Sequence, residues 1–229
     1  MKYTARDIAK MIDHSLLRPD LTQQEIIQGC EIARKYDVAA VCCAPADVAL
    51  CRKWLTGSGV KIAAVVGFPH GYSTTSVKVL EAKQAIEDGA HELDMVMNIG
   101  RMRSGDFDFV RADISAVVEV AHVHGVIVKL ILENCYLSNE MKWKACRLSE
   151  EAGADFVKTS TGFARGGATI EDLLLMRSSV SQNVQIKAAG GVRDLDMALK
   201  VRDAGATRFG ATQTESIMEE ANRRMKSHV

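Results

Sequence analysis

The sequence has no long apolar run, and no stretch approaches the roughly 20 apolar residues that are needed to cross a bilayer. Residues 1–17 mix charged with apolar side chains and have no apolar core, so we expect no signal peptide. A net charge is also absent, because 29 basic and 29 acidic residues balance. No basic excess points to nucleic acid or to an anionic membrane surface as a partner. We therefore predict a cytoplasmic protein.

Several motifs that would specify a particular chemistry are missing. The six cysteines lack the C-x-x-C spacing of zinc and redox sites. The adjacent Cys42 and Cys43 would face opposite sides of a strand, which argues against a shared metal ion. We expect buried free thiols instead. Neither a G-x-G-x-x-G fingerprint nor a P-loop is present to support a doubly wound nucleotide-binding sheet.

Proline is scarce, with 3 in 229 residues, and no linker or low-complexity stretch interrupts the chain. We therefore expect a single domain over residues 1–229. Short β-rich runs alternate along it with segments of helical periodicity. The eight predicted strands are 11–17, 38–44, 61–68, 92–99, 126–133, 155–161, 184–190 and 207–212.

The predicted strands are near-continuous apolar runs, which is typical of strands that are buried on both faces. Eight such strand–helix units close into a (β/α)8 barrel, and this is the fold that we predict. A doubly wound open sheet is the alternative. Thr22 and Ser138 are predicted to cap helices. Glycines in the segments 88–90, 152–154 and 204–206 are predicted to end helices in the left-handed conformation.

Charged residues inside four of the predicted strands are the strongest functional signal. In a barrel, polar residues in the middle or C-terminal half of a strand point into the interior or the catalytic mouth. A buried ion pair such as Asp94–Lys129 would be a purely structural explanation. Two lysines on adjacent strands at similar depth favour a catalytic one. The four residues are Asp94, Lys129, Lys158 and Lys187.

A lysine attacks a carbonyl only as the neutral amine, and its ordinary pKa of about 10.4 leaves little neutral amine at pH 7. Burial and a nearby cation both disfavour the charged form. We therefore interpret Lys158 as the amine that forms a Schiff base and Lys187 as the neighbouring cation. Asp94 would move protons through a water molecule. These residues suit a retro-aldol cleavage, because a protonated imine withdraws electrons from the bond that breaks.

Glycine-bearing turns follow the last three predicted strands, at 159–163, 188–193 and 208–214. Backbone N–H groups in such turns, with a helix N-terminus behind them, can hold an anion. The loops after strands 7 and 8 are the usual phosphate-binding place in barrels. We therefore predict a phosphate site at these turns. Arg193 would add positive charge there or, equally, be a solvated arginine at a helix start.

Together, these motifs resemble those of the deoxyribose-phosphate aldolases, the DeoC-type class I aldolases, over nearly the full length of the chain. The stretches GADFVKTSTGF and KAAGGVR are the most specific. The matching segments are IDHSLL (12–17), VGFPHG (66–71), ELDMVMNIG (92–100), VKLILE (128–133), EAGADFVKTSTGF (151–163), IKAAGGVR (186–193) and AGATRFGA (204–211).

The resemblance implies an enzyme that reversibly splits 2-deoxy-D-ribose 5-phosphate into glyceraldehyde 3-phosphate and acetaldehyde, with no metal or organic cofactor. It implies that Lys158 forms the imine, that Lys187 perturbs it, and that Asp94 joins Lys187 in a proton relay. His70 and Glu133 would shape the mouth of the site. A homodimer is the expected assembly. The implied substrate-binding residues are Lys129, Asp13, Cys42, Thr161, Gly162, Gly190, Gly191, Gly210 and Thr212.

Two positions depart from the family pattern. Ala44 stands where many relatives have asparagine, and Gln213 follows Thr212 where paired small residues are expected at the phosphate. These departures leave open a lysine-dependent aldolase that acts on a different sugar phosphate or aldehyde. A non-catalytic sugar-phosphate binder is a weaker hypothesis, since it would have lost the charged residues. A barrel isomerase is also weaker, since it has no use for two lysines on neighbouring strands.

Overall fold

The strands of this protein close into a parallel barrel, in which each strand pairs with its neighbours in sequence and the last pairs with the first. The fold is taken from a computed structural model that describes residues 3–226. Each strand lies inside its predicted range, and the predicted (β/α)8 barrel is confirmed. The strands are β1 (Ile12–Leu16), β2 (Ala40–Cys43), β3 (Lys61–Val66), β4 (Glu92–Val96), β5 (Ile127–Ile131), β6 (Phe156–Lys158), β7 (Gln185–Ala188) and β8 (Arg208–Ala211).

Helices cover the outside of the barrel. Two of them, α1 and α5, were not predicted, because five residues are too short to show a helical period. No helix within residues 3–226 is both long enough and apolar enough to cross a bilayer. The helices are α1 (Ala5–Ala9), α2 (Gln23–Lys35), α3 (Val48–Leu55), α4 (Thr75–Asp88), α5 (Ile99–Arg103), α6 (Phe107–Val123), α7 (Asn139–Glu151), α8 (Ile170–Ser179), α9 (Leu195–Asp203) and α10 (Thr214–Lys226).

The predicted helix ends are confirmed. Thr22 accepts a hydrogen bond from the backbone N–H of Glu25, whose side chain accepts one from the backbone of Thr22 in return. The Ser138 side chain caps α7 by accepting a hydrogen bond from the N–H of Met141. Such caps satisfy backbone donors that the helix itself leaves free. The glycines after α4, α7 and α9 have φ angles of 112°, 85° and 101° at Gly89, Gly153 and Gly205.

Side chains alternate between two environments along each strand. Those that face outward, such as Leu93 and Met95 on β4, are buried in the main apolar core beneath the helices. Those that face inward divide the barrel interior into two parts. On β2 and β3 they are small and apolar, namely Ala40, Cys42, Ala63 and Val65. The other six strands contribute the buried charged residues Asp13, Glu92, Asp94, Lys129, Lys158 and Lys187, together with Arg208, whose side chain is 12% exposed.

Candidate active site

Asp94 lies at the centre of the charged part of the interior. Its Oδ2 accepts hydrogen bonds from Nζ of Lys158 and Nζ of Lys187, both at 2.7 Å. Its Oδ1 accepts one from Nζ of Lys129 at 2.8 Å. The strand register produces this arrangement, because Asp94 pairs with Lys129 across β4 and β5, and Lys158 pairs with Lys187 across β6 and β7. Three lysines therefore share one carboxylate, and none of their side chains is more than 3% exposed.

Two further acids and an arginine extend this contact into a closed ring. Lys187 also contacts Asp13, and Lys129 also contacts Glu92. Arg208 joins those two acids, with Nε 2.7 Å from Asp13 Oδ1 and Nη2 3.0 Å from Glu92 Oε2. Opposite charges therefore alternate around the ring, whose members in order are Asp94, Lys187, Asp13, Arg208, Glu92 and Lys129. We call these six residues the charge ring.

The members of the charge ring hold one another in their charged forms. Burial on its own would raise the pKa of Asp94, but the three lysines outweigh it and hold that pKa well below its ordinary value. The pKa of Asp13 is lowered against burial in the same way, chiefly by Lys187. Burial alone would lower the pKa of Lys187, and the contacts with Asp13 and Asp94 raise it instead. These contacts thus favour the cationic form of Lys187 at neutral pH.

The charge ring is electrically neutral, since it contains three acids and three bases. Lys158 is bound to Asp94 from outside the ring and adds one positive charge that no further acid of the ring balances. Lys158 is therefore the one cation by which the bases of this cluster outnumber its acids.

Lys158 and Lys187 open onto a cavity of about 320 Å³ at the C-terminal ends of the strands. Asp94 and Lys129 do not line this cavity, but both contact residues that do. Arg193 lines its rim, as does Arg18, which was not predicted. The predicted site residues that line the cavity are Asp13, Cys42, Lys158, Thr161, Gly162, Lys187, Gly190, Gly191, Gly210 and Thr212.

Glycine is required at the rim of this cavity. Gly162, Gly190 and Gly191 have φ angles of 89°, 80° and 92°, which L-residues with a side chain rarely adopt. A Cβ on Gly190 would also lie 2.9 Å from the Cα of Gly167 in the preceding loop. The loops after β6 and β7 therefore pack backbone against backbone. Such glycine turns are suited to binding an anion through N–H groups.

Thr161 also lines a second cavity, of about 310 Å³, whose other lining residues include Glu133 and His70. Glu133 is buried, and its carboxylate accepts hydrogen bonds from the backbone N–H of Thr161, at 3.2 Å, and from its hydroxyl. Burial raises the pKa of Glu133. Glu133 thus fixes the loop after β6, while His70 is placed over the neighbouring cavity rather than over Lys158.

The thiol of Cys42 is the only predicted contact that comes from the apolar part of the interior. Its Sγ lies 3.8 Å from Asp94 Oδ2 and donates to it. Burial raises the pKa of this thiol, so it stays protonated at neutral pH. The six cysteines are all free, and five of them are buried, as expected.

The two departures from the family pattern lie away from the cavity. Ala44 precedes the short turn of 3-10 helix at Pro45–Asp47. The backbone carbonyl of Gln213 accepts from the N–H of Ile217 at the start of α10, and the Gln213 side chain is exposed. Neither residue lines either cavity at the mouth of the barrel.

Arg208 and Glu92 are two charged residues of the barrel interior that the sequence interpretation missed. Strand alternation could have found both. Glu92 lies two residues before Asp94, and Arg208 lies two residues before Gly210, so each shares the inward face of its strand. The predicted candidates were polar residues in the middle or C-terminal half of a strand, which point into the interior or the catalytic mouth. Both missed residues are at the first position of their strands.

A parallel eight-stranded barrel with a charged cavity at the C-terminal ends of its strands defines the class of protein, a (β/α)8-barrel enzyme. Within that class the chain belongs to the DeoC/LacD family of aldolases, whose sequence profile matches residues 8–215. The family that the motifs predicted is therefore confirmed.

Similar proteins support this assignment over almost the whole chain. A deoxyribose-phosphate aldolase from Thermococcus gammatolerans is 52% identical over 217 residues, which are 94% of this chain and 96% of the relative. The solved structure of QR15, an aldolase, has a TM-score of 0.92 at 39% identity and covers 96% of this chain and 98% of its own. A deoxyribose phosphate aldolase from Aeropyrum pernix, described as uniquely tetrameric, has a TM-score of 0.89 at 30% identity. That comparison covers 99% of this chain and 94% of the relative.

Proposed function

We propose that this chain is a deoxyribose-phosphate aldolase. It would cleave 2-deoxy-D-ribose 5-phosphate reversibly to D-glyceraldehyde 3-phosphate and acetaldehyde, a reaction of deoxyribonucleoside breakdown. The observation that carries the proposal is the placement of the Lys158 amine at a cavity, on the same oxygen of Asp94 as the cation Lys187. The names of relatives near 50% identity support the choice of substrate.

The first chemical step is imine formation. The neutral amine of Lys158 attacks the aldehyde carbon C1 of the open-chain sugar, the C1 oxygen takes up protons, and water leaves. The product is a protonated imine between Nζ and C1. Asp94 Oδ2 contacts the nitrogens of both Lys158 and Lys187 and can therefore carry a proton between them. Lys129 holds the other oxygen of Asp94 and so fixes the direction in which the carboxylate faces.

The second step breaks the carbon–carbon bond. A base, which we assign to the Asp94–Lys187 pair acting through water, takes the proton of the C3 hydroxyl. The electrons of the C2–C3 bond then move into the imine, and glyceraldehyde 3-phosphate leaves. The remaining enamine takes a proton at C2 to become an imine again. Hydrolysis of that imine releases acetaldehyde and restores Lys158.

The glycine-lined rim is the proposed phosphate site. Gly190, Gly191 and Gly210 would face the phosphate with their backbone, and Thr212 would add a hydroxyl. The rim lies at the ends of β7 and β8, so a sugar bound there through its 5-phosphate would extend along the cavity toward Lys158 on β6. Ala44 and Gln213 do not line the cavity, and nothing else about it favours a different sugar phosphate.

Reductive trapping tests the proposed chemistry directly. The protein is incubated with acetaldehyde and borohydride, digested, and mapped by mass spectrometry. We expect a two-carbon adduct on Lys158 and none on Lys78, which is as deeply buried but lines no cavity at the mouth. An unmodified Lys158 would rule out the imine mechanism. Assays of cleavage with deoxyribose 5-phosphate and with other sugar phosphates then test the substrate.

The subcellular location and the oligomeric state of the protein are also proposals. We propose a cytoplasmic location, since the substrate is a phosphorylated metabolite, and a homodimer. Size-exclusion chromatography with light scattering measures the assembly, and a mass other than that of two chains would contradict a dimer.

A further inference from the structure

We infer that Arg208 and Glu92 are positioning residues for the proposed reaction and set the electrostatic surroundings in which Lys158 gives up its proton. Neither residue lines the cavity. The inference rests on the imine chemistry proposed above and extends it to the layer of side chains beneath the site.

The geometry of this lower layer is well defined. Arg208 reaches Asp13 and Glu92 with both ends of its guanidinium group, through Nε to Asp13 at 2.7 Å and through Nη1 and Nη2 to Glu92 at 3.2 and 3.0 Å. Its side chain is 12% exposed, and that of Glu92 is 6% exposed. The bidentate guanidinium therefore fixes two acids at once, in a position that a lysine could hold only as a point charge.

Each acid in turn holds one of the lysines that surround Asp94. Asp13 contacts Lys187, and Glu92 contacts Lys129. Glu92 thus reaches Asp94 through one intervening side chain, Lys129, and Arg208 reaches it through two, Asp13 and Lys187. They complete the neutral charge ring, which leaves the charge of Lys158 as the surplus.

The remaining titratable groups near these residues lie outside the ring. Lys158 faces Cys42 on β2 and Glu133 after β5 in addition to Asp94 and Lys187. His91 directly precedes Glu92, the first residue of β4, and burial lowers the pKa of His91. Substitutions at Arg208 and Glu92 leave all of these groups in place. A change in the proton equilibrium at Lys158 can then be attributed to the ring.

The sign of each effect follows from the charge that is removed. Glu92→Gln takes away one negative charge and makes the ring positive, which disfavours the ammonium form of Lys158. The neutral amine then persists to lower pH. Arg208→Gln takes away one positive charge and makes the ring negative, so the ammonium form is favoured and activity requires higher pH. A unit charge that acts through intervening side chains, at an effective dielectric constant of about 20, moves such an equilibrium by about one pH unit.

The test measures kcat/KM for deoxyribose 5-phosphate cleavage as a function of pH in four variants and in the unaltered protein. The quantity compared is the midpoint of the acid limb of each pH profile. We expect the midpoint of that limb to move about one pH unit down in Glu92→Gln and about one unit up in Arg208→Gln. In the double variant the two charges cancel, and the midpoint should return to within a few tenths of a unit of the original. Arg208→Lys keeps the charge and should stay close to the original midpoint, with a lower kcat because the bidentate contact is lost.

The rate at which acetaldehyde and a borohydride reagent modify Lys158 is the second readout, and it should follow the same pH order. A purely structural role for these residues would lower kcat in both single variants and lower it further in the double variant, without opposite shifts. Shifts in the same direction, or no shift in a folded single variant, would overturn the inference. Either single variant suffices to decide the sign if the other does not fold. An unmodified Lys158 in the unaltered protein would instead contradict the proposed function itself.

Discussion

Asp113 and Asp94 are both buried against lysine, but they differ in the number of lysines that they contact. Outside the barrel, Asp113 on α6 has a single ammonium partner, Lys78 on α4, at 2.6 Å. The same ammonium donates to the backbone carbonyl of Val96 at 3.0 Å, and the other oxygen of Asp113 accepts from Thr75 at 2.7 Å. One cation faces one anion, the ammonium group makes two hydrogen bonds, and each carboxylate oxygen accepts one.

Inside the barrel, Asp94 has three ammonium partners, and two of them, Lys158 and Lys187, open onto a cavity. Complete burial is common to both sites, since Lys78 and Lys129 are each 0% exposed. The comparison teaches that burial of a lysine does not mark catalysis. An excess of cations over acids, at a place that a substrate can reach, marks it better.

The largest effect on turnover should come from removing Lys158, the cation that exceeds the number of acids around Asp94. Lys158→Met eliminates the nucleophile, and we expect cleavage of deoxyribose 5-phosphate to fall by at least about 1,000-fold. The free energy of unfolding should stay the same or increase, because the remaining ring is neutral. Steady-state assays and urea unfolding at pH 7 measure the two quantities. Near-normal turnover in this variant would disprove the mechanism.

At the ion pair of Lys78 and Asp113 we expect the opposite result, a loss of stability with little change in turnover. Lys78→Met leaves Asp113 buried without its cation, and the free energy of unfolding should fall by about 3–5 kcal/mol. Turnover per folded molecule should change little, since Lys78 lines no cavity at the mouth. The double variant Lys78→Met/Asp113→Leu should regain most of the lost stability in the same urea experiment. If Lys158→Met proved as destabilising as Lys78→Met, the distinction between the two sites would be lost.

His14 provides a third and smaller case, a buried base whose hydrogen-bond partner is uncharged. Its Nδ1 lies 2.8 Å from the hydroxyl of Thr214 on α10, and burial lowers the pKa of His14 to about 4. The unfolded chain therefore takes up a proton near pH 6.5, before the folded protein does. The contribution of His14 to the free energy of unfolding should be fully present above about pH 6.5. It should fall by about 2–3 kcal/mol as the pH approaches 4.

His14→Gln is the matched control for that effect, since it keeps a hydrogen-bonding side chain without the titration. Urea unfolding of both proteins from about pH 7 to about pH 4 isolates the difference. An equally steep loss of stability in the variant would show that other groups are responsible.

The parts of the molecule that the sequence could predict are those with a local signature. Thr22 and Ser138 cap helices because side-chain hydroxyls do so wherever a helix begins after them. Lys158 and Lys187 stood out because charged residues are rare in apolar strands. The register that places them side by side follows from barrel closure, which the regular spacing of the strands already implied.

Other features depend on contacts that no local pattern contains. Lys78 lies on a helix, where a lysine is ordinarily solvated, and only the packing of α4 against α6 buries it beside Asp113. Arg208 meets Glu92 across the barrel interior, between strands that are not neighbours. The ring they complete depends on closure of the barrel, and the sequence alone does not show which inward-facing charges will touch.

Nitrogen-15 NMR of lysine-labelled protein gives the most direct view of the charge distribution around Asp94. The Nζ resonances of Lys129, Lys158 and Lys187 can be assigned with single Lys→Met variants and followed from about pH 5 to about pH 10. We expect Lys158 alone to pass to the neutral amine in this range, while the other two remain ammonium. Loss of a proton from Lys129 or Lys187 before Lys158 would refute the proposed origin of the nucleophile, as would three lysines that stay charged throughout.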